Sequence, residues 1–186
     1  MKIRSVNRGF TLLELLTAMA VVAILAAIAI PNFRSAIASN RLTTTANGLI
    51  TALHQARSEA VRRNVAVQFC GSTTTANGAD ALGTACGTDL GHVHALGAGK
   101  LADFPALPPH IFVDNLGGAV PGVRYGGQGL AHGVASSAPY SGLVADVSSD
   151  QLSANNHRCI YILTGSAISS CPSSSACLTD EPANCQ

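Results

Sequence analysis

Charge is the scarcest ingredient of this chain. Asp, Glu, Lys and Arg together make up 11% of its 186 residues, about half the share usual in soluble domains. Aromatic residues reach only 4%, and tryptophan is absent. A hydrophobic share of 47% excludes an intrinsically disordered chain, which needs high charge and little apolar surface. No Gly-x-Ser-x-Gly, P-loop or dinucleotide fingerprint occurs, so no enzyme and no cofactor is expected. The length suits one domain with an appendage.

The apolar excess lies largely in one place. From Phe10 to Ile30 the only charge is Glu14. At about 1.5 Å per residue a helix of that length spans the roughly 30 Å hydrocarbon core of a bilayer. Lys2, Arg4 and Arg8 precede the run, so the positive-inside rule keeps the N-terminus cytoplasmic and sends the remainder to the periplasm or beyond. All six cysteines (Cys70, Cys86, Cys159, Cys171, Cys177 and Cys185) fall after the run. An even count in a small exported domain implies disulfides.

A secretory signal would be cut after its apolar stretch, near small residues. Ile30-Pro31 is a poor exit for that chemistry, and the run is longer than a usual signal core. Cleavage between Gly9 and Phe10 instead would remove three positive charges and leave a new amino group beside the apolar helix. With its basic leader, Gly9, Phe10, Thr11-Leu12-Leu13, Glu14 and Pro31, this stretch resembles the class III signal of type IV pilins and the pseudopilins of type II secretion.

The resemblance implies a leader over residues 1–9, a prepilin peptidase cutting after Gly9, and N-methylation of Phe10. It implies a single-pass inner-membrane protein with a periplasmic head, handled by an assembly platform and placed among other pilins or pseudopilins in a filament. It also gives Glu14 a partner. A mid-membrane charge costs about 2.5–3.5 kcal/mol on insertion scales and is normally paired. The amine of Phe10, its own or a neighbouring subunit's, is the nearest cation after cleavage, and methylation keeps it cationic. In the family this pairing sets subunit register.

Beyond the 10–30 anchor, Pro31 is expected to kink the helix without ending it. Leu42, Ala46, Leu49, Leu53, Ala56 and Ala60 recur at alternating spacings of four and three, with Ile50 and Val61 widening the stripe. Residues 31–63 therefore form an amphipathic continuation, weakened locally at Gly48 by about 1 kcal/mol. Its polar face carries Arg34, Arg41, Arg57, Arg62 and Arg63 against Glu59.

Residues 64–186 change character. Strands are predicted at Val65–Cys70, Gly91–Leu96, His110–Asp114, Gly122–Tyr125, Gly142–Val147 and Arg158–Leu163, separated by turn-forming residues. Four to six antiparallel strands on the helix make an α+β domain, the pilin fold that the resemblance also implies. Within the pilins, "ARSEAVRRN" (Ala56–Asn64), leading into a strand that ends at Cys70, is similar to the FimT/GspH group of minor pilins and pseudopilins. "GVRYGGQGLAHG" (Gly122–Gly133) and "HRCIYILTG" (His157–Gly165) are similar to later segments of that group.

Some members of the group take up DNA and carry a Gly-Arg-x-Arg signature after the penultimate strand. Here Gly165, Ser166, Ala167 and Ile168 occupy those positions, so both arginines are missing. Residues 64–186 hold Lys100, Arg124 and Arg158 against eight acids, Asp80, Asp89, Asp103, Asp114, Asp146, Asp150, Asp180 and Glu181. Phosphate contacts dominate non-specific affinity, and an acidic head disfavours them.

Six cysteines allow 15 pairings. A preference for short loops favours Cys70–Cys86, Cys159–Cys171 and Cys177–Cys185, and the Cys-rich tail is expected to depend on its bridges for order. The cysteine spacing does not match zinc sites, and no metal is expected. His92 and His94 would share one face of a strand, with Asp89 their only evident acidic neighbour, and a half-buried pair is the simpler reading. The expectation is a minor type IV pilin supporting pilus biogenesis and twitching. The alternatives are a DNA-receptor pilin and a pseudopilin of type II secretion.

Overall fold

A computed structural model of the protein describes residues 10–180 and Cys185; Gly9 and the basic leader lie outside the described residues. The chain divides into two compact units, one ending at Ile37 and one starting at Ala38. Helix α1 (Leu12–Arg63) contributes to both. Its first turn is capped by Thr11, whose Oγ1 accepts the Glu14 amide at 3.2 Å. Helix continues through position 31. Proline has no N–H, so the carbonyl four residues before it loses its helical partner. One residue later the Asn32 side-chain amide donates to the Ile28 carbonyl at 3.2 Å.

The second unit places the rest of α1 on two antiparallel sheets. Sheet A has the order β3-β2-β1-β5-β6, with β1 Val67–Phe69, β2 Val93–Ala95, β3 Gly99–Ala102, β5 Val123–Tyr125 and β6 Ala131–Gly133. Sheet B has the order β4-β7-β8-β9, with β4 Ile111–Asp114, β7 Gly142–Ser149, β8 His157–Leu163 and β9 Ala167–Ser173. Two short helices, α2 (Thr74–Asn77) and α3 (Ala81–Cys86), interrupt the path from β1 to β2. Each is capped by a side chain: Thr73 Oγ1 accepts from Ala76 N, and Asp80 Oδ1 accepts from Gly83 N. The result is the α+β pilin fold, with a long apolar N-terminal helix, antiparallel sheets and disulfides.

One core joins helix and sheets. Leu42, Ala46, Leu49, Leu53, Ala56 and Ala60 are all buried against Val67, Phe69, Val93, Val123 and Tyr125 of sheet A and Val144, Val147, Ile160 and Ile162 of sheet B. Burial of each leucine contributes about 1.5–3 kcal/mol. Val61, expected to widen the stripe, is instead 51% exposed, because it lies at the margin of the face that Ala60 centres. Gly48 has a reason to be small: a Cβ there would stand 3.0 Å from the Phe104 ring.

All six expected strands form, and β3, β6 and β9 are additional. The three extra strands are all sheet edges, where one side of the ladder is open. An edge strand can be short, polar or proline-containing, as β9 is with Pro172 and its serines. Such strands carry no apolar alternation to read.

Candidate assembly segment and head surface

The anchor presents apolar side chains outward along its length. Phe10, Leu12, Leu13, Val22, Ile24 and Ile28 are each more than half exposed. The most apolar 18-residue stretch of α1 has a mean hydropathy of 2.5, enough in length and composition to cross a membrane. Within it Glu14 stands in the first helical turn, where the helix dipole favours a carboxylate. Its backbone is fully engaged: the amide donates to Thr11, and the carbonyl accepts from Thr17 Oγ1 at 3.0 Å. Among the described residues no side-chain cation meets the Glu14 carboxylate.

In the head, three disulfides pair Cys70 with Cys86, Cys159 with Cys177, and Cys171 with Cys185. The short-loop preference is therefore corrected at two of three bridges: Cys159–Cys171 and Cys177–Cys185 do not form. Cys159 and Cys171 face each other across β8 and β9, and the C-terminal segment supplies one cysteine to each. Loop length discriminates weakly because closure entropy grows only with its logarithm, by about 0.6 kcal/mol per doubling.

The bridges strap the tail over the outer face of sheet B. Leu143, Cys159, Tyr161, Cys171 and Cys177 form a second buried cluster there, with Cys185 against it. At its edge Asp146, 3% exposed, accepts hydrogen bonds from His157 Nδ1 at 2.8 Å and from the Cys177 amide at 3.1 Å. Donor atoms of Asp146, His157 and Cys177 lie within 4.8 Å of one another, a spacing that would admit a metal ion. The Cys177 sulfur is committed to Cys159, however, which leaves an Asp–His pair and a backbone amide. The trio is thus a clamp on the tail. Sequence reasoning missed it, although an aspartate at the centre of the apolar strand "GLVADVSS" was a usable signal.

Sheet A carries a polar row on the face away from α1. Register aligns Lys100 with His94, His94 with Gln68, Gln68 with Arg124, and Arg124 with His132. The segment bearing α2 and α3 crosses this row. Arg124 donates to Gln68 Oε1 at 2.6 Å and to Asp80 at 2.7 Å, and its guanidinium holds the Asp80 carboxyl below the usual range. Lys100 does the same to Asp103. His94 is buried in the row, whereas His92 lies just outside β2, between Asp89 and Asp103 at 3.5 and 3.8 Å.

The turn that would hold the DNA-binding signature joins β8 to β9. Gly165 takes a φ of +71° there, which glycine adopts without strain. Arg57 of α1 reaches this turn and donates to the Ser166 carbonyl at 2.8 Å. Arg62 and Arg63 both bind Glu59, which lowers its pKa through their hydrogen bonds.

A long, outward-apolar N-terminal helix on an α+β head defines a membrane-anchored protein of the pilin and pseudopilin class. Residues 45–165 match the family described as type II transport protein GspH, and residues 4–30 match the prokaryotic N-terminal methylation motif. With most of its length so matched, the chain belongs to the GspH family, whose members are processed by prepilin peptidase and assemble with other pilins. No curated protein and no solved structure matches it. The family match reaches GspH and not the FimT branch in particular.

Proposed function

We propose that this chain works as a minor subunit of a pilus-type filament, acting by assembly and not by catalysis. Prepilin peptidase cuts after Gly9, Phe10 becomes the N-methylated terminus, and residues 10–30 hold the subunit in the inner membrane until an assembly platform draws it into the filament. The observation that carries this reading is Glu14, a single carboxylate in the first turn of an exposed apolar helix with no side-chain cation among the described residues. A charge placed there at a cost of about 2.5–3.5 kcal/mol requires a partner. The terminal amine of Phe10, or that of a neighbouring subunit, supplies one.

Two destinations follow. Three disulfides in a head of short strands suit a subunit exposed outside the cell, which favours a type IV pilus serving biogenesis and twitching. The family's description as a type II transport protein favours a pseudopilus in secretion. We assign no DNA-binding role. The β8–β9 turn offers no arginine of its own, and Arg57 is spent on its backbone.

Glu14→Ala is expected to insert in the membrane at wild-type levels and to be lost from sheared filaments. Recovery of the variant in filaments at the wild-type ratio to the major subunit would refute the pairing. Deleting the gene and scoring twitching and secretion side by side separates the two destinations.

A further inference from the structure

His94 is 8% exposed, and neither of its ring nitrogens has a hydrogen-bond partner. A buried imidazole without partners is costly in either tautomer, and more so when protonated, since it then has two donors to satisfy. Among the described residues no free acceptor is at hand. Gln68, its neighbour on β1, gives Oε1 to Arg124 and its amide to the Asn77 carbonyl. On β3 the register partner is Lys100, a second cation. Asp103, just beyond β3, is held by Lys100. His92 on the same chain segment stands between Asp89 and Asp103. α3, which packs on β2 and β1, brings no ionisable side chain, its Cys86 being disulfide-bonded, and Asp80 at its cap is bound to Arg124.

What closes over this face is the segment from Gly71 to Gly91. It is tied by Cys70–Cys86 and by the Asp80–Arg124 ion pair, buries Leu82, and is otherwise held by hydrogen bonds. The Asn77 side chain accepts from the Gly71 amide at 2.6 Å and donates to the carbonyls of Gly71 and Gly87 at 3.1 and 3.0 Å. The Gly122 amide donates to Ala76 O at 3.0 Å. We infer that this segment is a proton-sensitive strap, with His94 the group whose protonation loosens it.

The direction follows from linkage. Burial, aided by the charges of His92 and Lys100 and opposed by the smaller effects of Asp89 and Asp103, lowers the His94 pKa while the strap is closed. When the strap opens, the ring meets water and returns to its ordinary value near 6.5. The closed state is therefore fully favoured above that pH. It loses ground as pH falls below it, by up to about tenfold in the opening equilibrium per pH unit. Opening would uncover the polar row of His94, Gln68 and Arg124, and the disulfide would keep the strap tethered. This inference is independent of which filament the subunit joins.

Hydrogen exchange on the oxidised full-length protein in detergent, corrected for the intrinsic pH dependence of amide exchange, tests it. Between pH 7.5 and 5.5 the opening constant of peptides within 71–91 should rise about tenfold, while β7 and β8 stay protected. His94→Gln should flatten that dependence and His92→Gln should preserve it. An unchanged dependence in His94→Gln, or equal loosening of β7 and β8 in the wild type, would overturn the inference. Should His94→Gln not fold, an NMR titration of the wild-type His94 ring decides: a pKa at or above 6.5 contradicts it and a lower one supports it.

Discussion

A carboxylate with almost no exposed surface needs its charge answered on the spot, and Asp146 is answered twice, by the His157 ring and by the Cys177 amide. Charge-assisted bonds of this kind are each worth about 1.5–3 kcal/mol. Asp146→Asn keeps the volume and loses the charge, so the head should be destabilised by about 1–3 kcal/mol in denaturant unfolding. The loosening should centre on residues 171–180, and faster proteolysis of the tail in the folded protein would show it. Equal stability with an unaltered cleavage pattern would mean that the disulfides alone hold the tail. Asp146 could be noticed in the sequence as a charge inside an apolar strand. Its partners could not, because His157 and the Cys177 amide reach it only through the β7–β8 pairing and the crossing of the tail.

The long helix was the most legible element. Leu42, Leu49 and Leu53 announce a buried face by spacing alone, since the 3.6-residue period returns each of them to one side. The five inner strands and the edge strand β4 were legible for the related reason that alternation marks a half-buried strand. β3, β6 and β9 were not, because an edge does not require that pattern. The tail pairing was beyond sequence reasoning for a further reason. Cys159 and Cys171 lie side by side, yet each bonds to the tail that crosses them. A Cys159→Ser/Cys177→Ser double variant should therefore lose about 2–4 kcal/mol while Cys171–Cys185 and Cys70–Cys86 still form. Peptide mapping under non-reducing conditions checks this. A Cys171–Cys177 linkage in the wild type, or Cys159–Cys171, would contradict the observed strap.

For the molecule as a whole, the sequence and the fold divide the labour. The residues from Phe10 to Ile30 carry one charge and face outward, as an anchor and filament-core segment requires. The residues from Ala38 onward build a head whose core is closed by α1 and two sheets and whose outer faces are each fastened by disulfide-bonded segments. The membrane anchor and the family were legible at the N-terminus and in the helix, and the α+β class in the helix stripe together with the alternating strands that follow it. The identity of the filament was not, because it depends on which neighbours the head meets, and surface loops carry no periodic signal.

The central claim is that Gly9 and Glu14 belong to one device: cleavage creates the cation that the carboxylate needs. Intact-mass and N-terminal analysis of the protein recovered from membranes of a strain with an active prepilin peptidase tests this most directly. The expected product begins at methylated Phe10 with Glu14 intact, and a peptidase-deficient strain should retain the leader. A mature protein that still begins at Met1, or one cut beyond Ile30, would contradict the account.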